Sequence, residues 1–427
     1  MSKFTEAAVD DTSNRTRLIV LDLFWLGFII YAASYAISTS DQVNYAVCNL
    51  FQTLGLLLFV PASIYLMRLK IENSYLRVMF VVYCVWLFGI MIRGVKLDYL
   101  TIKQLLFDPS FGMFLYLVPF VMLIPVTPAF MTRLYRVIVI LGVIYLIYDT
   151  IFIRQLLVRY QNVRSQAMME YFTQQLSLPA GFILLTFIYH KRKINLFALF
   201  IVGLTFILSV LRARRGLMFM TFNILVFSFL FYQIANKVKV TTTIISFFFI
   251  IIIGYSSFAI YDSNRKETFG LITERMGQRT RSLVEEYFYR DLRTKDWVVG
   301  KGLNGMYFCP GVDEGTNNIS IYRRVIETGY LQVILNGGLI SLGLLLLIAV
   351  PAMIMGLFYS KNMLSKAAGL WIFLFLLFMY PGTMTIFSLF YMIIWISIGI
   401  CYSPRVRNMS DEDLKAILNK KVPELSG

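Results

Sequence analysis

Arg212, Arg214 and Arg215 fall within four residues of the run Ser209-Val-Leu-Arg-Ala-Arg-Arg-Gly216, between two strongly apolar stretches. Guanidinium groups fork onto phosphate oxygens. Clustered arginines can therefore grip a pyrophosphate, as a handle on a substrate or as a leaving group whose charge must be stabilised. Arg212 and Arg215 are three apart, a spacing that shares one helical face, whereas Arg214 points elsewhere. Gly216 beside them would let a ligand approach the backbone closely. The alternative is that these arginines snorkel to lipid headgroups.

A second group closes a long polar segment: Tyr322-Arg323-Arg324-Val-Ile-Glu327-Thr-Gly-Tyr330-Leu-Gln332. With Arg323 and Arg324 one turn earlier, Glu327 is either half of a structural ion pair or a general base. As a base it would accept a proton from a sugar hydroxyl while the arginines hold the departing phosphate. A third group, Arg154, Arg159 and Arg164 with Tyr160 and Tyr171, has a spacing near five and forms no single helical face. It lines the same cavity or is a solvated loop.

Other candidates are weaker. Asp22 and Asp149 lie near the ends of apolar runs, where an acid is a functional candidate by default. Asp149 is the better placed, on the side of Arg154. Asp313 and Glu314 read as a solvated loop tip, with contact to an acceptor sugar as the alternative. The glycine-rich turn from Val299 to Gly305 matches neither the P-loop nor the dinucleotide fingerprint. The single histidine, His190, sits beside Lys191 and reads as a topology residue. Of four cysteines, Cys48, Cys84 and Cys401 fall in apolar runs, and Cys309 stands alone and accessible in polar sequence. No spacing points to a metal or a disulfide.

The elements that position these groups must be membrane helices. At 58% hydrophobic and 15% charged residues, with mean hydropathy +0.69, the 427-residue chain has too little polar surface for a soluble core. Its apolar runs repeatedly reach the roughly 20 residues that cross a bilayer. The expected fold is an all-α, polytopic, single transmembrane domain over 1–427. Twelve spans are expected, near 18–39, 43–67, 75–92, 111–130, 135–153, 177–190, 194–211, 216–235, 241–260, 329–358, 365–380 and 383–402. No cleavable signal is expected, because polar residues precede a first run long enough to remain as a helix. The net charge of +16 is spread between spans without a long basic stripe, which fits a lipid-phosphate or polyanionic partner and not nucleic acid.

With both termini inside, every short inner loop carries at least two basic residues, as the positive-inside tendency requires. The outer segments 93–110, 154–176, 212–215 and about 261–328 then break the tendency. They hold 15 of the 24 arginines but only 5 of the 16 lysines. Long loops cross regardless of charge, which covers 261–328 but not the tight turn at 212–215. Within 261–328, inserted between the ninth and tenth spans, a helix is expected over 271–292. Leu271, Met276, Leu283, Tyr287 and Phe288 would pack down while Glu274, Arg275, Arg279, Arg281 and Glu286 face water. Tyr287, Tyr289, Trp297, Tyr307 and Tyr322 offer flat faces to sugar rings or anchor at the interface.

An Arg-Gly pair at the outer end of a middle span, a long outer loop with Gly-x-Gly, and Tyr330-Leu-Gln followed by Gly337-Gly-Leu-Ile340 together resemble the O-antigen polymerase and O-antigen ligase superfamily. The likeness covers about 200–360, with span count and loop position beyond it. It implies the membrane-embedded glycosyltransferase C class, in a bacterial inner membrane, with its active site facing the periplasm and both termini in the cytoplasm. It implies a polyprenyl-pyrophosphate-linked oligosaccharide as donor and another as acceptor, with no cofactor, metal or nucleotide. Arg212 and Arg215 would hold the donor pyrophosphate, assisted by Arg214, Arg323, Arg324, Arg154 and Arg159. Glu327 would activate or orient the acceptor, near Tyr330 and Asp149. Ligases carry His-Asn-x-Tyr-Leu where this chain has Glu327-Thr-Gly-Tyr-Leu331, which favours a polymerase acting with membrane lipid and a chain-length-regulating membrane protein. A ligase is the near alternative. A transporter or flippase for an anionic lipid-linked glycan is the alternative of another class, although no internal repeat is visible.

Overall fold

The computed structural model describes residues 2–40, 42–94, 98–157, 163–236, 241, 280–310 and 321–419. Arg159, Tyr160, Asp313, Glu314, the expected span at 241–260 beyond its first residue, and the expected surface helix before 280 lie outside the described residues. Before residue 237 the chain forms α1 (Ser2–Ser38), α2 (Tyr45–Leu66), α3 (Ser74–Gly94), α4 (Tyr99–Phe107), α5 (Met113–Leu117), α6 (Pro128–Ile151), α7 (Ile153–Leu156), α8 (Val163–Phe172), α9 (Ala180–Leu185), α10 (Arg192–Leu211) and α11 (Arg215–Ala235). After residue 279 come α12 (Thr280–Asp291), α13 (Thr294–Val299), the antiparallel pair β1 (Tyr307–Phe308) and β2 (Tyr322–Arg323), α14 (Gly329–Phe358), α15 (Met363–Phe378), α16 (Leu389–Tyr402), α17 (Pro404–Arg407) and α18 (Asp411–Asn419).

Seven of the described helices are long and apolar enough to cross a bilayer, and three apolar helical stretches are shorter. The chain is therefore a multi-pass, all-α membrane protein. α1 lies against α2 so closely that a Cβ on Gly27 would come within 2.6 Å of the Gly55 carbonyl oxygen. Small residues let two membrane helices meet backbone to backbone in this way. The short helices α15 and α16 form the centre of the bundle, with Trp371, Phe375, Phe390 and Trp395 fully buried.

The two ends of the bundle differ in chemistry. At one end Arg133 clamps Asp22 through Nε–Oδ1 at 2.5 Å and Nη2–Oδ2 at 3.0 Å, so that acid is a tie between α6 and α1. There Asn362 caps α15 by accepting from the Ser365 amide at 2.8 Å, and its own amide reaches the Val406 carbonyl at 2.7 Å. His190 lies edge-on to Tyr135, with ring centroids 4.3 Å apart and a ring nitrogen 3.0 Å from Thr186 Oγ1. The other end gathers the described parts of the four arginine-bearing segments and is called the arginine end below.

Four elements depart from the expected spans. The stretch expected as a span at 111–130 is α5, a 3-10 turn over Val118–Leu123 and an extended link to Pro128, where α6 begins under a Thr127 cap. Pro119 and Pro125 lack the N–H that would continue a helix. The span expected at 177–190 is instead a longer broken rod, α8 running through a π turn at Thr173–Ser177 into α9. Its buried Thr173, Gln174, Gln175 and Ser177 lower the hydropathy of a segment that is nonetheless interior.

The span expected to start at 383 becomes helical only at Leu389. Before it the chain is extended and buried, and protein groups satisfy its backbone. The Phe387 amide donates to the Pro109 carbonyl at 2.8 Å, and Gln175 Nε2 donates to the Phe387 carbonyl at 3.1 Å. Such a backbone is tolerated inside a membrane protein only where the protein itself supplies partners.

The fourth departure is in α14. Its 30 residues would measure about 45 Å at 1.5 Å per residue, against a hydrocarbon core of about 30 Å. The helix breaks at Gly338, with φ 69° and ψ −176°, leaving 20 residues beyond the break. The glycine-rich turn docks into this break: the Lys301 amide donates to the Leu335 carbonyl at 2.7 Å and the Gly302 amide to the Asn336 carbonyl at 2.9 Å. Gly300 (φ 70°) sits where a Cβ would lie 2.5 Å from the Asn336 carbonyl carbon. Arg93 adds Nη2 to the Val299 carbonyl at 2.8 Å, tying α3 to the same turn. The Gly-x-Gly turn is thus a structural plug for a broken helix.

Residues 280–310 and 321–335 build a second, smaller core of Val284, Phe288, Leu292, Tyr307, Cys309, Ile326, Leu331, Ile334 and Leu335. On α12, Phe288 is buried in this core and Tyr287 packs against it, as expected, whereas Leu283 is exposed and Val284 takes the buried position instead. Cys309, expected to be accessible, is fully buried in this core.

Candidate functional site

The arginine turn is built by the end of α10. The Ala213 amide bonds to the Val210 carbonyl at 3.0 Å and the Arg214 amide to the Ser209 carbonyl at 2.9 Å, the paired closure of a Schellman motif. Ala213 takes the left-handed position at φ 53°, which costs a non-glycine residue about 1–2 kcal/mol. This reversal separates residues that one helix would have kept together. Arg212 ends α10 and is 2% exposed, Arg214 turns to α8, and Arg215 opens α11 and is exposed. Arg212 and Arg215 therefore do not share a face, contrary to the spacing argument.

Arg214 pairs with Glu170 and places Nη1 3.3 Å from Gln166 Oε1, binding the turn to α8. No side chain caps α11, and its first i to i−4 bond runs from the Met218 amide to the Arg214 carbonyl at 2.9 Å. The earlier amides and the helix dipole favour an anion beside Arg215. The space expected beside Gly216 is taken by the chain itself, since a Cβ there would lie 3.1 Å from the Pro381 carbonyl oxygen.

That same turn carries the second group on its other side. A Cβ on Gly329 would lie 2.6 Å from the Gly382 carbonyl oxygen, and Thr383 Oγ1 donates to the Ile326 carbonyl at 3.0 Å. Arg281 reaches down from α12 to the Tyr380 carbonyl and to Thr328 Oγ1 at 2.7 Å, with Nε 3.1 Å from Glu285 Oε1. The 379–383 turn thus holds the arginine turn and the 323–330 segment on opposite flanks. Glu327 is exposed and makes no ion pair among the described residues. Tyr330 gives its hydroxyl to the Leu376 carbonyl, tying α14 to α15.

Arg323 lies in β2 and is 9% exposed. Arg324 points away from the strand toward α4: its guanidinium donates to Gln104 Oε1 at 2.7 Å and to Asn304 Oδ1, and lies 4.9 Å from the centre of the Phe111 ring. Beside it is a residue that the sequence did not single out. Asp108 sits at the tip of the segment joining α4 to α5, where Oδ1 accepts from the amides of Ser110 (2.8 Å) and Phe111 (3.1 Å).

The tip is drawn into the bundle by Tyr31, whose hydroxyl donates to the Phe107 carbonyl at 3.2 Å. Burial pushes the Asp108 carboxyl above its usual range, against the pull of those amides and of the nearby Arg324 charge. Tyr31, Tyr35 and Tyr171 all feel its charge, and the rings of Tyr35 and Tyr171 meet edge-on at 5.2 Å. The sequence signal, legible only afterwards, is Asp108-Pro-Ser-Phe-Gly112, a turn whose side chain can bond its own following amides.

Asp149 is separate from this group. It is 5% exposed on α6, one turn from Tyr145, whose hydroxyl lies 3.1 Å from Thr205 Oγ1; that oxygen is 3.0 Å from Ser177 Oγ. Asp149 Oδ2 is buried without a hydrogen-bond partner among the described residues. Arg154 is exposed on α7. A cavity of about 40 Å³ is lined by Tyr83, Tyr116, Asn336, Ser341, Thr385 and Tyr391 among others, with room and polar partners for water. Among the described residues, no three His, Cys, Asp or Glu side chains gather as a metal site.

The arrangement can therefore offer an anion a helix start with an exposed arginine, and offer a hydroxyl-bearing molecule a half-buried acid, tyrosines and an anchored guanidinium, all at one end of a membrane bundle. No family model matches this chain, and neither a curated protein nor a solved structure matches it.

Proposed function

We propose that this protein is a membrane-embedded glycosyltransferase, a polysaccharide polymerase acting at the outer face of a bacterial inner membrane. It transfers a glycan from polyprenyl pyrophosphate onto a second lipid-linked oligosaccharide, as in O-antigen, capsule or common-antigen synthesis. In the reaction the acceptor hydroxyl oxygen bonds to the anomeric carbon of the donor. The bond from that carbon to the pyrophosphate oxygen breaks, and the electron pair leaves with the pyrophosphate. The driving force resides in that leaving group, so no nucleotide is consumed.

The observation that carries this reading is the meeting, across the 379–383 turn, of the arginine turn with the Arg324 segment. Arg215 and the start of α11 supply the pyrophosphate grip, with buried Arg212 behind them. Charged hydrogen bonds of this kind contribute about 1.5–3 kcal/mol each. Arg324 faces the acceptor side. Glu327, at the exposed rim, orients the incoming glycan. A ligase acting on the same donor differs only in its acceptor.

A transporter for an anionic lipid-linked glycan is the second reading. It is favoured by the interrupted helices at the π turn, before α16 and at Gly338, and by the buried acid Asp149, all of which occur in transporters. Purified protein incubated with a lipid-linked repeat unit and no nucleotide separates the readings. A ladder of products, lost in Arg215→Ala, supports the polymerase. Transbilayer movement of the lipid without a ladder supports the transporter and overturns the enzyme.

A further inference from the structure

We propose that Asp108 is the general base of the transfer, taking the proton of the acceptor hydroxyl while Arg324 holds the acceptor beside it. The inference rests on the glycosyl-transfer reading above and assigns a residue that the sequence pattern passed over.

Three observations carry it. The first is pre-organisation. Oδ1 is fixed by two backbone amides, at 2.8 Å from Ser110 and 3.1 Å from Phe111, so the carboxylate plane is set and Oδ2 carries neither bond. The second is separation of charge. Arg324 is occupied by Gln104 and Asn304 and stacked over Phe111, so acid and guanidinium are held by different neighbours, leaving the acid available as a proton acceptor. The third is placement. The tip carrying Asp108 is held by Tyr31 of α1 and by Phe387 of the extended segment before α16, inside the bundle and away from the exposed rim where Glu327 lies.

The groups facing Asp108 are tyrosines and one guanidinium. Tyr31 and Tyr35 come from α1, Tyr171 from α8 and Arg324 from the strand segment. Tyr171 follows Glu170, the partner of Arg214, on α8, so the same helix bears on Asp108 and on the arginine turn. A sugar ring with several hydroxyls matches such a surface. An acid lifted by burial also keeps its proton affinity closer to neutrality, where a base works best. In the step, the acceptor O–H proton passes to Asp108 Oδ2 as the oxygen joins the anomeric carbon and the bond to pyrophosphate breaks. The proton then leaves to water.

The test uses the full-length protein in proteoliposomes with a lipid-linked repeat unit, measuring ladder rate and, separately, the thermal stabilisation that a polyprenyl pyrophosphate gives. Removal of a general base slows a reaction by about 10²–10⁴-fold. Asp108→Asn should therefore lose at least about 100-fold in rate with the pyrophosphate stabilisation intact. Asp108→Glu should recover part of the rate, and Glu286→Gln, which removes an exposed acid of α12, should match the wild type. An Asp108→Asn protein that polymerises within a few-fold of wild type overturns the assignment. So does one that loses ladder and stabilisation together, since that marks a structural role, or a result in which Glu327→Gln alone stops the reaction. A wild type that makes no ladder overturns the transfer reading and the base with it.

Discussion

Arg214 and Arg215 are neighbours in sequence with opposite tasks in the fold. Arg214 is held by Glu170 and Gln166, whereas Arg215 projects freely from the first turn of α11. Arg214→Ala and Glu170→Gln should each lower the melting temperature, and in a double-mutant cycle their effects should fall short of additive by about 1 kcal/mol, as for a partly exposed pair. Arg215→Ala should leave the melting temperature unchanged while abolishing polymerisation and weakening pyrophosphate stabilisation. Equal thermal losses in Arg214→Ala and Arg215→Ala would remove the distinction. The cluster itself was plain in the sequence, because arginines crowded into a tight turn between apolar runs are conspicuous. The division of labour was not, because it depends on a left-handed Ala213 that no helical spacing rule anticipates. Asp108 was hidden for a similar reason: an Asp-Pro in a polar stretch reads as a loop tip until Tyr31 and Phe387 are seen to draw it inward.

At the scale of elements, α14 contains its own control. At Gly338 the backbone occupies a region open almost only to glycine, and a Cβ would collide with the Val298 carbonyl oxygen. Five residues on, Gly343 is helical with nothing within 4 Å of its Cβ position. Gly338→Ala should destabilise the protein by about 3 kcal/mol or more and release the 300–305 turn, exposing it to limited proteolysis. Gly343→Ala should be neutral or stabilise by up to about 1 kcal/mol, through helix propensity. If both variants melt alike, the break is not the support described here. Hydropathy located the long helices well because length and apolarity alone define them. It misread the interrupted ones because it does not register where Pro119 and Pro125 stop a helix, or that Gln174 and Gln175 can be interior when the protein satisfies them. It also counted the pieces of α14 as one span, since glycine barely alters an apolar average.

Across the whole molecule, lysine is scarce among the described residues at the arginine end of the bundle, where only Lys103, Lys295 and Lys301 are found, whereas the opposite end carries arginine and lysine together. The described segments that span parity put together do meet. Arg93 contacts the glycine-rich turn, Arg214 contacts α8, and Arg324 contacts α4. Which end faces out is a separate matter that rests on the basic-residue count, and it can be measured directly. Cys48, Cys84, Cys309 and Cys401 are all free and buried, so the native thiols should react slowly with a maleimide and a new exposed cysteine should dominate the signal. Glu327 and Lys193 are both exposed, at the arginine end and the opposite end respectively. A membrane-impermeant maleimide applied to spheroplasts should therefore label Glu327→Cys at once, and Lys193→Cys only after permeabilisation. The reverse pattern would place the arginine turn in the cytoplasm. There its charge would follow the ordinary positive-inside tendency, which would account for these arginines without any pyrophosphate chemistry.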